Sequence, residues 1–189
     1  MKSPLVVSFC TADTPYELEI QSLKASCVKF GMETYFEVVP SKGSWVENCA
    51  NKGPFIANCI SKFQRPILWL DADAVIMKHP TLFEKLECDF AAYKPRHLIS
   101  STLFFANTDS AIELAKNWAE KCIQDPNTWD QQLLDLSLEE MGPRIKFQNL
   151  PQGYCKIFDK RWARIAVREE YIVQNQASRR FKGIVNQRG

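Results

Sequence analysis

The chain is poor in the features that mark fibrous, secreted and zinc-bearing proteins. Glycine is scarce, seven of 189 residues, and ten prolines are scattered without a period, which excludes collagen-like and low-complexity organisation. The only histidines, His79 and His97, have no partner at ligand spacing, so no histidine-built zinc centre is expected. Seven cysteines include no C-x-x-C pair, and an odd number cannot pair fully within one chain. Several fall at helix-core spacings, so reduced, packed thiols in a cytoplasmic protein are expected. The apolar stretch in MKSPLVVSFC is too short for a signal-peptide core, and no run approaches a membrane span. A formal net charge of +2 gives no reason to expect a nucleic-acid partner.

What is present suits one globular domain over residues 1–189: 46% hydrophobic, 24% charged, five Trp and twelve Phe. The charge is uneven. Residues 1–159 carry 16 basic and 20 acidic side chains, residues 160–189 carry 8 and 2. A cationic tail is either a solvated surface or an anion site, since Arg and Lys are the side chains phosphate oxygens seek.

Periodicity places the elements. LVVSF (5–9) is a short apolar strand followed by a loop, CTADTP; Tyr16, Ile20, Leu23, Cys27 and Phe30 then recur as one face of a helix that Gly31 can close. TYFEVV (34–39) reads as a strand and PSKGSW as a loop. Phe55, Ile56, Cys59, Ile60 and Phe63 form the next helical stripe, before the strand ILWL. Strands alternating with helices predict an α/β fold with a mostly parallel sheet. DFAAY and STLFFAN read as further strands. Ile112 to Cys122 and WDQQLLDLSLEEM read as helices, RIKFQNL and EYIVQ as candidate strands, and the tail after Ala177 shows no clear period.

ILWLDADAVIMKHP (67–80) sets two aspartates, Asp71 and Asp73, at the carboxyl end of the apolar strand, the edge where open α/β sheets bind ligands. Either the strand simply ends there, with the carboxylates facing water or capping a turn, or a cation neutralises them. Oxygen ligands select hard ions, Mg²⁺ or Mn²⁺.

Taken with its context, ILWLDADAVIMKHP resembles the DxD segment of GT-A-type glycosyltransferases. VVSFCTADTPYE resembles their nucleoside-holding strand and loop, KGPFIANCI the helix before DxD, STLFFANTD the strand after it, WDQQLLD the sugar and acceptor segment, and IVQNQASRRFKG the C-terminal metal and phosphate segment. The resemblance implies a single Rossmann-like GT-A domain and a metal-dependent transfer from a nucleotide-diphosphate sugar, UDP-sugar favoured, to an unknown glycan, lipid or protein acceptor. It implies that Asp71 and Asp73, flanking Ala72, hold the metal, and that Lys52, otherwise a surface lysine, reaches a phosphate. Thr11, Asp13 and Tyr16 would contact base and ribose, although Tyr16 also fits the apolar helix stripe. Asp130 and Gln131 would be the catalytic pair facing sugar and acceptor, Asp130 binding a sugar hydroxyl or acting as base, although an acid in a first helical turn is also ordinary capping chemistry. Arg179 and Lys182 would close on the pyrophosphate within a basic lid, 174–189.

Two positions depart from that pattern. Gln174 stands where a histidine commonly supplies a third metal ligand, so the resemblance implies its uncharged amide oxygen as that ligand, and ISST stands where a glycine is usual beside the sugar. Two other readings remain open: a nucleotide-sugar binding module with weak catalysis, and a haloacid-dehalogenase-type phosphotransferase, which lacks its downstream acidic pair here.

Overall fold

A computed structural model of the chain describes residues 3–157 and 169–186. The basic residues between 160 and 168, and Arg188, lie outside the described residues.

The chain runs β1 (Leu5–Thr11), α1 (Tyr16–Lys29), β2 (Thr34–Val39), α2 (Trp45–Ala50), α3 (Lys52–Phe63), β3 (Ile67–Leu70), β4 (Ala74–Ile76), β5 (Phe90–Tyr93), β6 (Ile99–Phe105), α4 (Asp109–Gln124), α5 (Asp130–Met141), β7 (Phe147–Asn149), β8 (Lys156–Ile157), β9 (Ile172–Gln174) and α6 (Ser178–Val185). Six strands form a sheet in the order β2-β1-β3-β6-β5-β7, antiparallel only where β6 meets its neighbours, as the predicted mostly parallel α/β architecture requires. A smaller sheet, β4-β9-β8, joins the DAD turn to the C-terminal segment.

The central strands are apolar throughout because both faces are covered. Alternate residues Val7, Phe9, Ile67, Trp69, Leu103 and Phe105 pack against α3, α4 and α5. Val6, Leu68, Leu70, Ala91 and Phe104 pack on the opposite side with Leu23 and Cys27 of α1. Gly53 permits the close approach of α3 to α4: a Cβ there would meet Ala119 Cα and Cys122 Sγ at 3.1 Å each. Gly31, at φ +64°, closes α1 in the left-handed region, as expected. All seven cysteines are free thiols, six of them buried, and no helix among the described residues is long and apolar enough to cross a membrane.

The short strands β4 and β8 have no counterpart in the sequence-based expectation, and two longer segments also differ from it. Trp45 opens a helix rather than ending a loop, because Ser44 and Glu47 form a reciprocal capping box. The tail, read as aperiodic, contains α6, which is fixed by contacts from distant parts of the chain described below.

Candidate functional site

The carboxyl edge of the sheet gathers chemistry for a topological reason. β1 and β3 end there, and α3, which precedes β3, begins there. β6 runs antiparallel to β3, so it also starts at this edge: Leu70 pairs with Thr102, and Asp71 N–H donates to Ser101 O (3.1 Å).

Asp71 follows Trp69 by two residues and so shares its face of the sheet. Trp69 Nε1–H donates to Asp71 Oδ1 (2.9 Å). On the same oxygen sits the ammonium of Lys52, at 2.9 Å. Lys52 is the first residue of α3, where the helix dipole disfavours a cation. Two carboxylates compensate: besides Asp71, Asp130 Oδ2 lies 3.1 Å from Lys52 Nζ. The lysine also donates to Ser100 Oγ (3.2 Å) and lies over the Trp69 ring at 5.5 Å. Burial opposes its charge, but Asp130 and Asp71 outweigh that cost and hold the ammonium well above the ordinary lysine range. Lys52 is therefore a buried bridge between two acids rather than a surface lysine. Asp130, first residue of α5, is also bonded by Ser100 Oγ–H (2.8 Å), while its backbone carbonyl accepts from Trp118 Nε1 (2.9 Å). Gln131 Oε1 accepts from Ser100 N–H (3.3 Å).

Asp73 is buried and faces the C-terminal segment. Its Oδ2 accepts from Ala177 N–H (2.6 Å), at the start of α6, and its carbonyl accepts from Asn175 N–H (3.2 Å). Burial, then the neighbouring charge of Asp71, push its carboxyl up to about 6, partly offset by the Ala177 N–H.

The described tail is strapped across this edge. Asn186 Oδ1 accepts from Trp45 N–H (2.8 Å), Arg180 pairs with Glu19 (2.7 Å), and Phe181 meets Tyr16 edge-on at 5.7 Å. Lys182 Nζ lies over the Trp45 ring at 4.8 Å. Tyr16, whose phenol accepts from Trp45 Nε1 (3.3 Å), has its pKa raised chiefly by burial.

Two adjoining cavities result. The smaller, about 120 Å³, is walled by Thr11, Tyr16, Lys52, Asp71, Ala72 and Asp73. The larger, about 380 Å³, is walled by Lys52, Asp71, Asp130, Gln131, Arg179 and Lys182 with Ser100 and Ser101. Asp13, at φ 58°, lies in a third hollow with Thr14 and Pro40, beyond the ends of β1 and β2.

Of the predicted residues, Gln174 alone is outside these walls. It is fully buried in β9, where Nε2 donates to Ser101 O (3.2 Å) and Thr102 Oγ1 (3.0 Å), while Oε1 has no hydrogen-bond partner. Gln176 takes a place in both cavity walls instead. Sequence reasoning also missed Trp45, which lines both cavities, and Trp129, which lines the larger. Their only signal was an indole in an otherwise polar stretch.

The aspartate pair passes one test of fitness for a hard divalent cation. Both residues line one cavity, and burial together with Asp71's charge raises the Asp73 carboxyl to about 6, a cost such an ion relieves. Among the described residues no group of three His, Cys, Asp or Glu could hold a metal, so water and ligand oxygens would complete the shell, as Mg²⁺ commonly accepts.

A family model described as nucleotide-diphospho-sugar transferase matches residues 5–182. Among solved structures, the chain is similar to a glycosyltransferase involved in the glycosylation of the major capsid of PBCV-1. The TM-score is 0.68 at 17% identity, over 97% of this chain and 98% of that one. No curated protein matches the sequence.

Proposed function

The chain belongs to the nucleotide-diphospho-sugar transferase family and is a glycosyltransferase, and on that premise we propose that it uses Mn²⁺ or Mg²⁺, held by Asp71 and Asp73, to transfer a sugar from a nucleotide-diphosphate donor. UDP-sugar is the favoured donor. The observation that carries this reading is the pair of carboxylates lining one cavity at the carboxyl edge of the sheet, one of them raised to about 6 by burial and then by the charge of the other. A bound divalent ion neutralises the charge that builds on the leaving diphosphate.

The chain's own residues do the rest. Tyr16, Thr11 and Asp13 flank the ends of β1 and β2 and receive the nucleoside. Arg179 and Lys182, at the larger cavity, face the diphosphate. Lys52 fixes Asp71 and Asp130 relative to each other by binding both. Asp130, buried beside that ammonium in the wall of the larger cavity, is placed to accept a hydrogen bond from a sugar hydroxyl, with Gln131 beside it. Gln174, held by Ser101 and Thr102, supports the sheet edge behind Asp71, and the metal's protein ligands are the two aspartates.

Incubating the protein with Mn²⁺ and a panel of nucleotide sugars should release free nucleoside diphosphate. Asp73→Asn, which keeps an oxygen for Ala177 N–H, should abolish metal-dependent UDP binding in calorimetry while leaving the fold intact. Unchanged UDP affinity in that variant contradicts the assignment. Tight binding without turnover in the wild type favours the binding-module reading.

A further inference from the structure

We propose that the acceptor is a glycoside, and that Trp129 is the platform on which its pyranose ring stacks; this rests on the transferase reading above. Trp129 immediately precedes Asp130, and both line the 380 Å³ cavity. Trp129 is the N-cap residue of α5, a position where a small polar side chain is ordinary, yet it is an indole that is 46% exposed and makes no side-chain cap. Trp45 stands across from it, ring centroids 6.3 Å apart and planes at 79°. Lys182 is held against this corner, 4.8 Å from the Trp45 ring and 6.0 Å from that of Trp129.

The corner therefore combines two aromatic faces, an ammonium and a carboxylate. A pyranose has the matching surface, one face of C–H groups and a rim of hydroxyls. Its C–H face can cover the indole while a hydroxyl donates to Asp130. The cavity is at the small end of the range for small-molecule sites, the size of a compact ligand rather than a long acyl chain. A serine or threonine side chain offers no face for the indole.

Saturation-transfer NMR with methyl pyranosides of glucose, galactose, mannose and N-acetylglucosamine tests binding directly, without turnover. At least one should take up saturation on its ring C–H protons with the wild type. The signal should persist in Trp129→Phe and fall at least ten-fold in Trp129→Ala. The same glycoside should accelerate nucleoside-diphosphate release, with its KM raised at least ten-fold by Trp129→Ala relative to Trp129→Phe. No saturation with any pyranoside, an equal signal in the alanine variant, or acceleration only by a serine- and threonine-containing peptide or by farnesyl phosphate overturns the proposal. Glycoside binding without any donor turnover leaves the stacking site standing and instead fails the transferase reading.

Discussion

Replacing Lys52 with methionine tests the electrostatic design of the site most directly. The ammonium is 7% exposed and serves Asp71, 31% exposed, and Asp130, 8% exposed. Once it is gone, Asp71 can turn to water, but Asp130 keeps only Ser100 as a side-chain donor and is left as an unpaired buried charge. Breaking a buried pair from one side costs about 3–5 kcal/mol. For a domain of this size each kcal/mol lowers Tm by roughly 2–4 °C, so Lys52→Met should lose roughly 6–20 °C. Urea denaturation in EDTA should show the same deficit. Adding Asp130→Asn to the methionine variant removes the orphaned charge and should recover part of the loss, a coupling expected at about 0.5–3 kcal/mol. Because the folded pKa of Lys52 lies above its unfolded value, its contribution is full below about pH 10 and is lost only as pH rises through the folded value. The deficit should therefore be flat across neutral pH. A single variant within about 1 kcal/mol of wild type, or a double variant whose losses simply add, would refute the bridge.

Asp73 sets a second pH dependence, of the same sense but in a lower window. Its folded pKa of about 6 lies above the ordinary 3.8, so the metal-free protein gains stability as pH falls from about 7 towards 4, and Mn²⁺, which must displace that proton, binds less tightly over the same window. Calorimetric titrations giving one Mn²⁺ affinity from pH 5 to 8 would count against it. Arg179→Ala and Lys182→Ala should each weaken UDP several-fold while leaving uridine affinity near wild type; equal loss for both ligands removes these side chains from the diphosphate. Gln174→Leu should lower Tm through its lost bonds to Ser101 and Thr102, about 1–3 kcal/mol, without changing Mn²⁺ affinity, and a ten-fold weaker affinity would restore it as a ligand. Gly53→Ala should cost about 1–3 kcal/mol by forcing α3 away from α4, measured by denaturation, and an unchanged midpoint would show that the helices can part freely.

The parts of this molecule that the sequence discloses are those governed by neighbours in the chain. β1, β3 and the apolar stripe of α3 are runs whose periodicity is local, and the position of Asp71 and Asp73 follows from the end of one strand. α2 was legible too: Ser44 and Glu47 have capping-box spacing, although PSKGSW reads as a loop when its turn formers are weighed first. α6 is different. Its eight residues are too few to hold a helix alone, and its partners are Asp73, Glu19, Tyr16 and Trp45, separated from it by more than a hundred positions. Nor does spacing reveal that Lys52 bridges Asp71 and Asp130, or that Gln176 rather than Gln174 reaches the cavities, because β9 is three residues long and takes its register from β4.

That division has a consequence for how the site is assembled. The DAD segment reads as a self-contained ligand set, but Asp73 also receives the Ala177 N–H at the start of α6, and β4, directly after it, pairs with β9 directly before that helix. The carboxylate proposed to bind the cation is thus a fixed point for the segment proposed to face the diphosphate. An ion that draws electron density from Asp73 weakens its hold on the helix start, whereas a diphosphate bound by Arg179 and Lys182 restores negative charge at the same end, where the helix dipole favours it. Metal and nucleotide should therefore bind cooperatively, each tighter in the other's presence, through residues that a linear reading assigns to separate motifs.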